Sequence, residues 1–299
     1  MSEQNQNKIN SAHKSHPRTF HGSKYVYPVL SRRSGGISIG INLSPDKICN
    51  FNCIYCQVKR DNEEVKVDRA SDQEIIDQIE IELIELTQMV YSGELFNYEP
   101  FNKIPPEFRK LCDISFSGDG EPTSFPSFDL VCSKIADIRL QYARDIVKIV
   151  LITNSSLLHK PKVQEGLAVL DMNNGEIWAK LDAGTEKYYQ MVNRSEVSFQ
   201  KIIDNILRTA QKRPLKIQSL FMNILGQIPD IEEINAYADK LIYLVNNGAN
   251  IISVQIHTIA RQPAEAYAKS LSDTEIDAIS DLVHKKTSLT VEKFYGNKR

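Results

Sequence analysis

Apolar residues recur along the chain with two alternating periods. Ile37-Ser-Ile-Gly-Ile-Asn-Leu43 sets apolar against small or polar residues at every second position, the pattern of a strand. Residues 71–91 place apolar side chains at 75, 76, 79, 83, 84 and 86, the spacing of one helix face, and Ser71-Asp-Gln-Glu74 ahead of them reads as a capping box. Beyond this helix, predicted strands at 112–117, 147–153, 176–181, 215–223 and 250–258 alternate with predicted helices at 127–142, 161–170, 184–192, 197–212, 231–246 and 272–286. A short extra strand is expected at 289–294. Six β-then-α units of apolar strands and amphipathic helices predict an α/β fold, a parallel sheet covered by helices. Periodicity alone does not separate a partial barrel from a flat, doubly wound sheet. The core is read as a single domain over 25–299, with an irregular insertion near 92–111 that contains Gly and three prolines. Residues 1–24 read as a polar, flexible N-terminal extension, and His13, His16 and His21 as part of a solvated tail rather than metal ligands.

Composition and charge narrow the picture. The 299 residues are 41% hydrophobic and 25% charged, with 36 Lys+Arg against 38 Asp+Glu and a net charge of −2. That balance gives no global argument for nucleic acid or an anionic membrane surface. No apolar run reaches the roughly 18–20 residues of a membrane span, and the polar start lacks the apolar region of a secretory signal. The expectation is a cytoplasmic protein with reduced thiols, where clustered cysteines hold metal more often than they form disulfides.

The five cysteines are unevenly placed. Cys49, Cys53 and Cys56 form a C-x3-C-x2-C loop directly after the first predicted strand, while Cys112 and Cys132 fall in a strand and a helix and read as small core residues. Three thiolates on one loop can wrap an iron–sulfur cube, whose fourth iron is then left open. A zinc knot completed by a distant histidine is the alternative, although zinc sites more often use two-residue gaps and a local fourth ligand.

Polar residues gather at strand ends, where ligand groups collect in βα units. The second of these strands runs into Gly118-Asp119-Gly120-Glu121-Pro122, a turn permissive of close approach that carries a carboxylate able to accept from an ammonium. The third ends in Thr153-Asn154-Ser155. On the fourth, Lys180 and Asp182 share a face, which a buried strand tolerates only if they pair or line a cavity. Gln255 and His257 share a face on the sixth. Asn193-Arg194, between two helical stretches, suits either contact with a carboxylate or a helix cap.

The cysteine loop, with Tyr55 as the aromatic of its C-x3-C-x-aromatic-C pattern, resembles the radical S-adenosylmethionine (SAM) superfamily. Gly118–Pro122 resembles that family's Gly-Gly-Glu-Pro motif, with Asp119 in place of the first glycine, and Ser155 stands where the family often has Gly after Thr-Asn. The resemblance implies a partial (β/α)6 parallel barrel and a 4Fe–4S cluster on Cys49, Cys53 and Cys56 with one open iron. SAM would chelate that iron through its amino and carboxylate groups, with Tyr55 bordering the adenine and Glu121 holding the methionine ammonium. Gly118, Asp119, Gly120, Pro122, Asn154, Lys180, Asp182, Arg194, Gln255 and His257 are further candidate cofactor contacts. An electron from a flavodoxin- or ferredoxin-like donor would cleave SAM, and the 5′-deoxyadenosyl radical would abstract hydrogen from an unidentified substrate. Segments 27–42 and 258–265 are similar to an Fe–S oxidoreductase branch related to the wyosine-tRNA enzymes, although no cysteine precedes Cys49 to match their second set. Two alternatives follow. One is a wyosine-like tRNA-base-modifying enzyme, suggested by that branch and by Lys285, Lys286, Lys293, Lys298 and Arg299 but unsupported by the net charge. The other is a non-catalytic Fe–S electron-transfer protein.

Overall fold

A computed structural model of the chain describes residues 18–31, 33–60 and 70–296. Residues 1–17, with His13 and His16, lie outside the described residues, as do Arg32 within the 27–42 segment and Lys298 and Arg299. Contacts group the chain into two compact units, each drawn from three segments.

The first unit comprises Met1–Ile48, Asn62–Leu151 and Pro161–Glu176. Its strands β1 (Val26–Ser31), β2 (Gly36–Ile41), β3 (Leu111–Phe116) and β4 (Lys148–Thr153, whose last two residues group with the second unit) lie side by side in chain order. β1 is antiparallel to β2, and the rest pair in parallel. The helices are α1 (Asp72–Ser92), α2 (Phe128–Tyr142) and α3 (Pro161–Asp171). The capping box expected at Ser71 is formed: Glu74 N donates to Ser71 Oγ at 3.3 Å and Ser71 N to the Glu74 carboxylate at 2.7 Å. The insertion between α1 and β3 folds into three short 3-10 turns.

The second unit comprises Cys49–Asp61, Ile152–Lys160 and Ile177–Arg299. Strand β5 (Gly175–Lys180) begins in the first unit and continues into this one. Helices α4 (Glu186–Asn193) and α5 (Phe199–Ala210) follow it. Then come β6 (Leu215–Leu220), β7 (Asn223–Ile224), helix α6 (Ile231–Asn246), β8 (Ile251–His257), β9 (Ala268–Lys269), helix α7 (Asp273–Thr287) and β10 (Val291–Phe294). β5, β6, β8 and β10 pair in parallel in that order, and β7 and β9 form a separate antiparallel ribbon. Ser219 on β6 meets Tyr237 on α6 at 2.5 Å. Strand alternation therefore turns its neighbour Gln218 to the face away from that helix. Lys180 pairs with Gln218 across β5 and β6, and Gln218 with Gln255 across β6 and β8, so one polar row crosses the sheet of this unit. Among the described residues, no helix is long and apolar enough to cross a membrane.

All seven helices read from the sequence are present. The extra strand is β10, parallel to β8. Three expectations are corrected. β1 is absent from the sequence reading because Val26-Tyr-Pro-Val-Leu-Ser31 is almost continuously apolar and contains Pro28, which removes the period-2 signal. Residues 18–24, read as part of a flexible extension, are exposed or half-exposed yet make defined contacts. Arg18 lies 3.0 Å from Asp119, and the Phe20 ring meets Tyr98 and Phe101 edge-on. Cys132 is buried as expected, whereas Cys112 is only half-buried.

What ties this segment down is one acid on α1. Glu82 is 4% exposed, and its carboxylate accepts the backbone N–H groups of Lys24, Tyr25 and Val26, all at 2.9 Å. Gln78 supplies a further donor at 3.0 Å. A carboxylate with this many donors replaces its lost hydration and satisfies the backbone leading into β1. Glu82→Ala strands these three N–H groups and should lower unfolding free energy in a urea titration by about 3 kcal/mol or more. Glu82→Gln, which keeps one acceptor oxygen, should lose less.

Candidate functional site

In the second unit, the cysteine loop is a short irregular segment that other residues hold in shape. Its apolar side chains Phe51 and Ile54 are buried, and Phe51 packs edge-on against Tyr189 of α4. The end of α4 supplies carbonyls to the loop: Asn52 N donates to Asn193 O at 3.1 Å and Ile54 N to Val192 O at 2.9 Å. These are carbonyls of a helix C-terminus, which have no partner within the helix. A tight turn, Cys56 N to Cys53 O at 3.0 Å, joins the last two cysteines, and Ala264 N donates to Cys56 O at 2.8 Å. Next to Cys49, Asn50 exchanges hydrogen bonds with the end of β4. Asn154 Nδ2 donates to Asn50 Oδ1 and Asn50 Nδ2 to Ser156 Oγ, both at 2.8 Å.

Ser155 has φ of 68°, the left-handed region that favours glycine. That agrees with the glycine often found here in the family that the sequence resembles. Ser155 sits in the strained conformation with its N–H on Thr153 Oγ1 at 3.1 Å and its carbonyl accepting from Asn205 at 2.9 Å.

Asp182, 3% exposed, is the hub beneath the loop. Its Oδ2 accepts from Tyr55 OH at 2.5 Å and Asn193 Nδ2 at 3.2 Å, and its Oδ1 from Leu220 N at 2.9 Å and Lys180 Nζ at 3.3 Å. The Lys180 ammonium also lies 4.9 Å from the centre of the Tyr55 ring. A buried carboxylate is tolerable with one cation and three neutral donors around it. The negative charge has consequences nearby. Burial, then Asp182, pushes the Cys53 thiol up to about 12, and the same two influences hold the Tyr55 phenol well above its ordinary range.

Two N–H donors face sulfurs of the loop. Arg60 Nη1 lies 3.2 Å from Cys56 Sγ, and Asn193 Nδ2 lies 3.4 Å from Cys53 Sγ. Burial opposes the charge on Arg60, but attraction to Cys56, then Cys49 and Cys53, outweighs it and holds the guanidinium above its usual range. All three thiols thus lie within the electrostatic reach of one cation. Among the described residues, no three His, Cys, Asp or Glu side chains are grouped to hold a single metal ion.

The remaining candidates of this unit make other contacts. Arg194 caps α4 with φ of 46°, and its guanidinium bonds Glu265 at 2.6 Å and the Tyr267 hydroxyl. Gln255 accepts from Gln218 at 3.2 Å and donates to Glu292 at 3.4 Å. His257 closes β8 opposite Leu220 and Phe294. The structure thus brings Cys53, Tyr55, Lys180 and Asp182 together and adds Asn193 and Arg60. Sequence reasoning named Asn193 only jointly with Arg194 and did not single out Arg60. A polar pair directly after the predicted helix 184–192 was the available signal.

In the first unit, the Gly118–Pro122 turn packs against the segment after β2. A Cβ on Gly118 would come within 2.3 Å of Asn42 Oδ1, and one on Gly120 within 2.2 Å of Ile48 O. The two glycines therefore permit close approach of two protein segments. Asp119, the departure from the family motif, is clasped by Asn42: Asn42 Nδ2 donates to Oδ2 at 2.7 Å, and Asp119 N donates to Asn42 Oδ1 at 3.0 Å. Glu121, 3% exposed, accepts from Thr123 N at 3.2 Å and Thr123 Oγ1 at 2.5 Å, and Pro122 opens the short turn behind it.

Asp182→Ala removes the acceptor for Tyr55, Asn193 and Leu220 N and leaves Lys180 without its counter-charge. Loss of a buried pair of this kind costs about 3–5 kcal/mol. In the metal-free protein, Cys53 should then be alkylated faster than in the parent, read by mass spectrometry, with Asp182→Asn intermediate. Unchanged Cys53 alkylation in Asp182→Ala would show that Asp182 does not hold the loop.

Comparison with known proteins bears on this geometry. The chain is 26% identical over 291 residues to the GTPase Obg of Brachyspira hyodysenteriae, covering 96% of this chain but 36% of that protein, so it spans about a third of that relative's length. It is 28% identical over 281 residues to a UPF0026 protein of Methanocaldococcus jannaschii, covering 90% and 75% of the two chains. The crystal structure of Streptococcus suis SuiB bound to S-adenosylmethionine superposes with a TM-score of 0.51 at 12% identity, over 83% of this chain and 45% of that one. That likeness shows the fold, the α/β partial barrel expected from the sequence. The family model of the Radical SAM superfamily matches residues 43–234, a stretch that takes in the cysteine loop, the Gly118–Pro122 turn and Asp182 and makes up more than half of the chain, and so the chain belongs to the radical SAM superfamily.

Proposed function

We propose that this radical SAM enzyme carries a 4Fe–4S cluster on Cys49, Cys53 and Cys56 and binds SAM at the open iron. The observation that carries this reading is the three-thiol loop itself. It is locked by Asp182 and α4, and N–H donors are directed at two of its sulfurs. The donor set suits the group, because thiolates bind Fe–S clusters and N–H donors stabilise the charge on ligating sulfur. When bound and reduced, a cluster held by Cys49, Cys53 and Cys56 would supply the one-electron reductive cleavage of SAM that opens radical hydrogen abstraction.

The chain's own residues position and shield. Asp182 fixes the Tyr55 ring through its hydroxyl, and Lys180 stands over that ring. Tyr55 thereby offers a rigid aromatic edge beside the loop for the adenine. Thr123 orients the buried Glu121 carboxylate, which in this reading accepts the methionine ammonium in a charge-assisted bond. Asn154 braces Asn50, the neighbour of Cys49. A one-electron donor of the flavodoxin or ferredoxin class supplies the reducing electron. Of the basic residues that suggest the wyosine-like alternative, Lys286 is paired with Asp239, and Lys293 with Asp277 and Asp281. These acids offset the charge of those two lysines.

After anaerobic reconstitution with iron and sulfide, Cys49→Ala, Cys53→Ala and Cys56→Ala should each lose the 4Fe–4S absorbance and EPR signal. Cys112→Ala and Cys132→Ala should keep it. Retention of the parent cluster by all three loop variants would overturn the ligand assignment. The reduced, loaded protein should convert SAM to 5′-deoxyadenosine, as read by chromatography. Glu121→Gln should weaken SAM binding at least about tenfold, since a hydrogen bond to a charged group contributes about 1.5–3 kcal/mol. Unaltered SAM binding in Glu121→Gln would remove Glu121 from the site.

A further inference from the structure

Two polar side chains outside the ligand set each direct an N–H group at a sulfur of the loop. Arg60 Nη1 is 3.2 Å from Cys56 Sγ, four residues back along the chain. Asn193 Nδ2 is 3.4 Å from Cys53 Sγ, from the last residue of α4. Neither is required to ligate anything, since Arg has no acceptor and the Asn amide presents its nitrogen to the sulfur.

The orientation of that amide is set by its surroundings. Asn193 is 2% exposed, and its Nδ2 also lies 3.2 Å from Asp182 Oδ2. A flipped amide would direct its oxygen at a carboxylate and a sulfur together. Asp182 therefore selects the rotamer that gives Cys53 a donor. Asp182 is in turn fixed by Tyr55, Leu220 N and Lys180, and the ammonium at 3.3 Å offsets its charge. The backbone carbonyl of Asn193 holds the loop independently, through Asn52 N at 3.1 Å. Its side chain is thus free of any duty in anchoring the loop backbone.

We propose that Arg60 and Asn193 are positioning residues that raise the reduction potential of the cluster on Cys49, Cys53 and Cys56. One-electron reduction adds negative charge to the cluster and its ligand sulfurs. Hydrogen bonds to those sulfurs and a nearby fixed cation stabilise the more negative, reduced form over the oxidised one. Arg60 contributes a full charge and a donor at Cys56, and Asn193 a donor at Cys53. The electron comes from the external one-electron donor, and no other bond is made or broken. The consequence for function is that a donor of moderate reducing power can charge the cluster. The inference rests on the cluster assignment given above.

The test is an anaerobic redox titration of the reconstituted protein, with dithionite as reductant and mediator dyes, followed by EPR of the reduced cluster. Arg60→Gln should lower the ratio of reduced to oxidised cluster about tenfold at a fixed ambient potential, a shift of about 59 mV to more negative values for one electron. Arg60→Lys, which keeps the cation, should recover most of that shift. Asn193→Leu, similar in size and without a donor, should shift the midpoint in the same direction by a smaller amount. Iron and sulfide content should match the parent in all three. Midpoints identical to the parent in both Arg60→Gln and Asn193→Leu, with cluster content intact, would overturn the proposal. Variants that fail to assemble a cluster would also overturn it, by making these residues necessary for assembly rather than potential. A parent protein that takes up no cluster on these cysteines would instead sink the cluster assignment, and this inference with it.

Discussion

A buried carboxylate must find donors to replace its lost hydration, and Asp182 is where this requirement shapes the second unit. Water is gone from around it, so the protein supplies Tyr55 OH, Asn193 Nδ2, Leu220 N and Lys180 Nζ instead. Each donor belongs to a different part of the unit: the cysteine loop, the end of α4, the residue closing β6 and the end of β5. Satisfying one acid therefore fixes four pieces against each other. The loop has no regular secondary structure of its own between Cys49 and Cys56, so its shape comes from such external bonds. The orientation of the Asn193 amide and of the Tyr55 ring both follow from where Asp182 stands.

The first unit uses acids in the same way for a different end. Glu82 reaches from α1 to the backbone ahead of β1, and Asp119 is clasped to Asn42. Both are acceptors for groups that would otherwise be buried without partners. Asp119 shows how a departure from a family motif acquires a local reason. A glycine there would lack the carboxylate that Asn42 and Arg18 engage. Glu121, two residues on, keeps the family identity, with its carboxylate held by Thr123.

Much of the fold was legible in the sequence because apolar periodicity is imposed locally by burial on one side. The strand and helix alternation from Ile37 onward reads directly, and so does the capping box at Ser71. β1 was not legible, since Pro28 and an almost unbroken apolar run erase the two-residue period. The role of Glu82 was not legible either. An acid between Ile81 and Leu83 on a helix reads as a solvated position, and only the approach of residues 24–26 makes it an anchor. Ser155 was legible in part: its replacement of glycine was visible, but its left-handed φ required the turn itself.

The sequence alone determined the chemistry available and its spacing: three thiols on one loop, an aromatic at 55, a carboxylate after β3 and a Lys–Asp pair along β5. Covalent spacing guarantees that Cys49, Cys53 and Cys56 share a loop whatever the rest of the chain does. Tertiary structure alone decided which distant groups meet them. Arg194 and Asn193 are adjacent in sequence, yet α4 ends so that Asn193 faces Cys53 and Arg194 turns in a left-handed cap toward Glu265. Such choices depend on where a helix stops and which side of it is buried. Those are outcomes of packing between residues 140 positions apart, which no local pattern encodes.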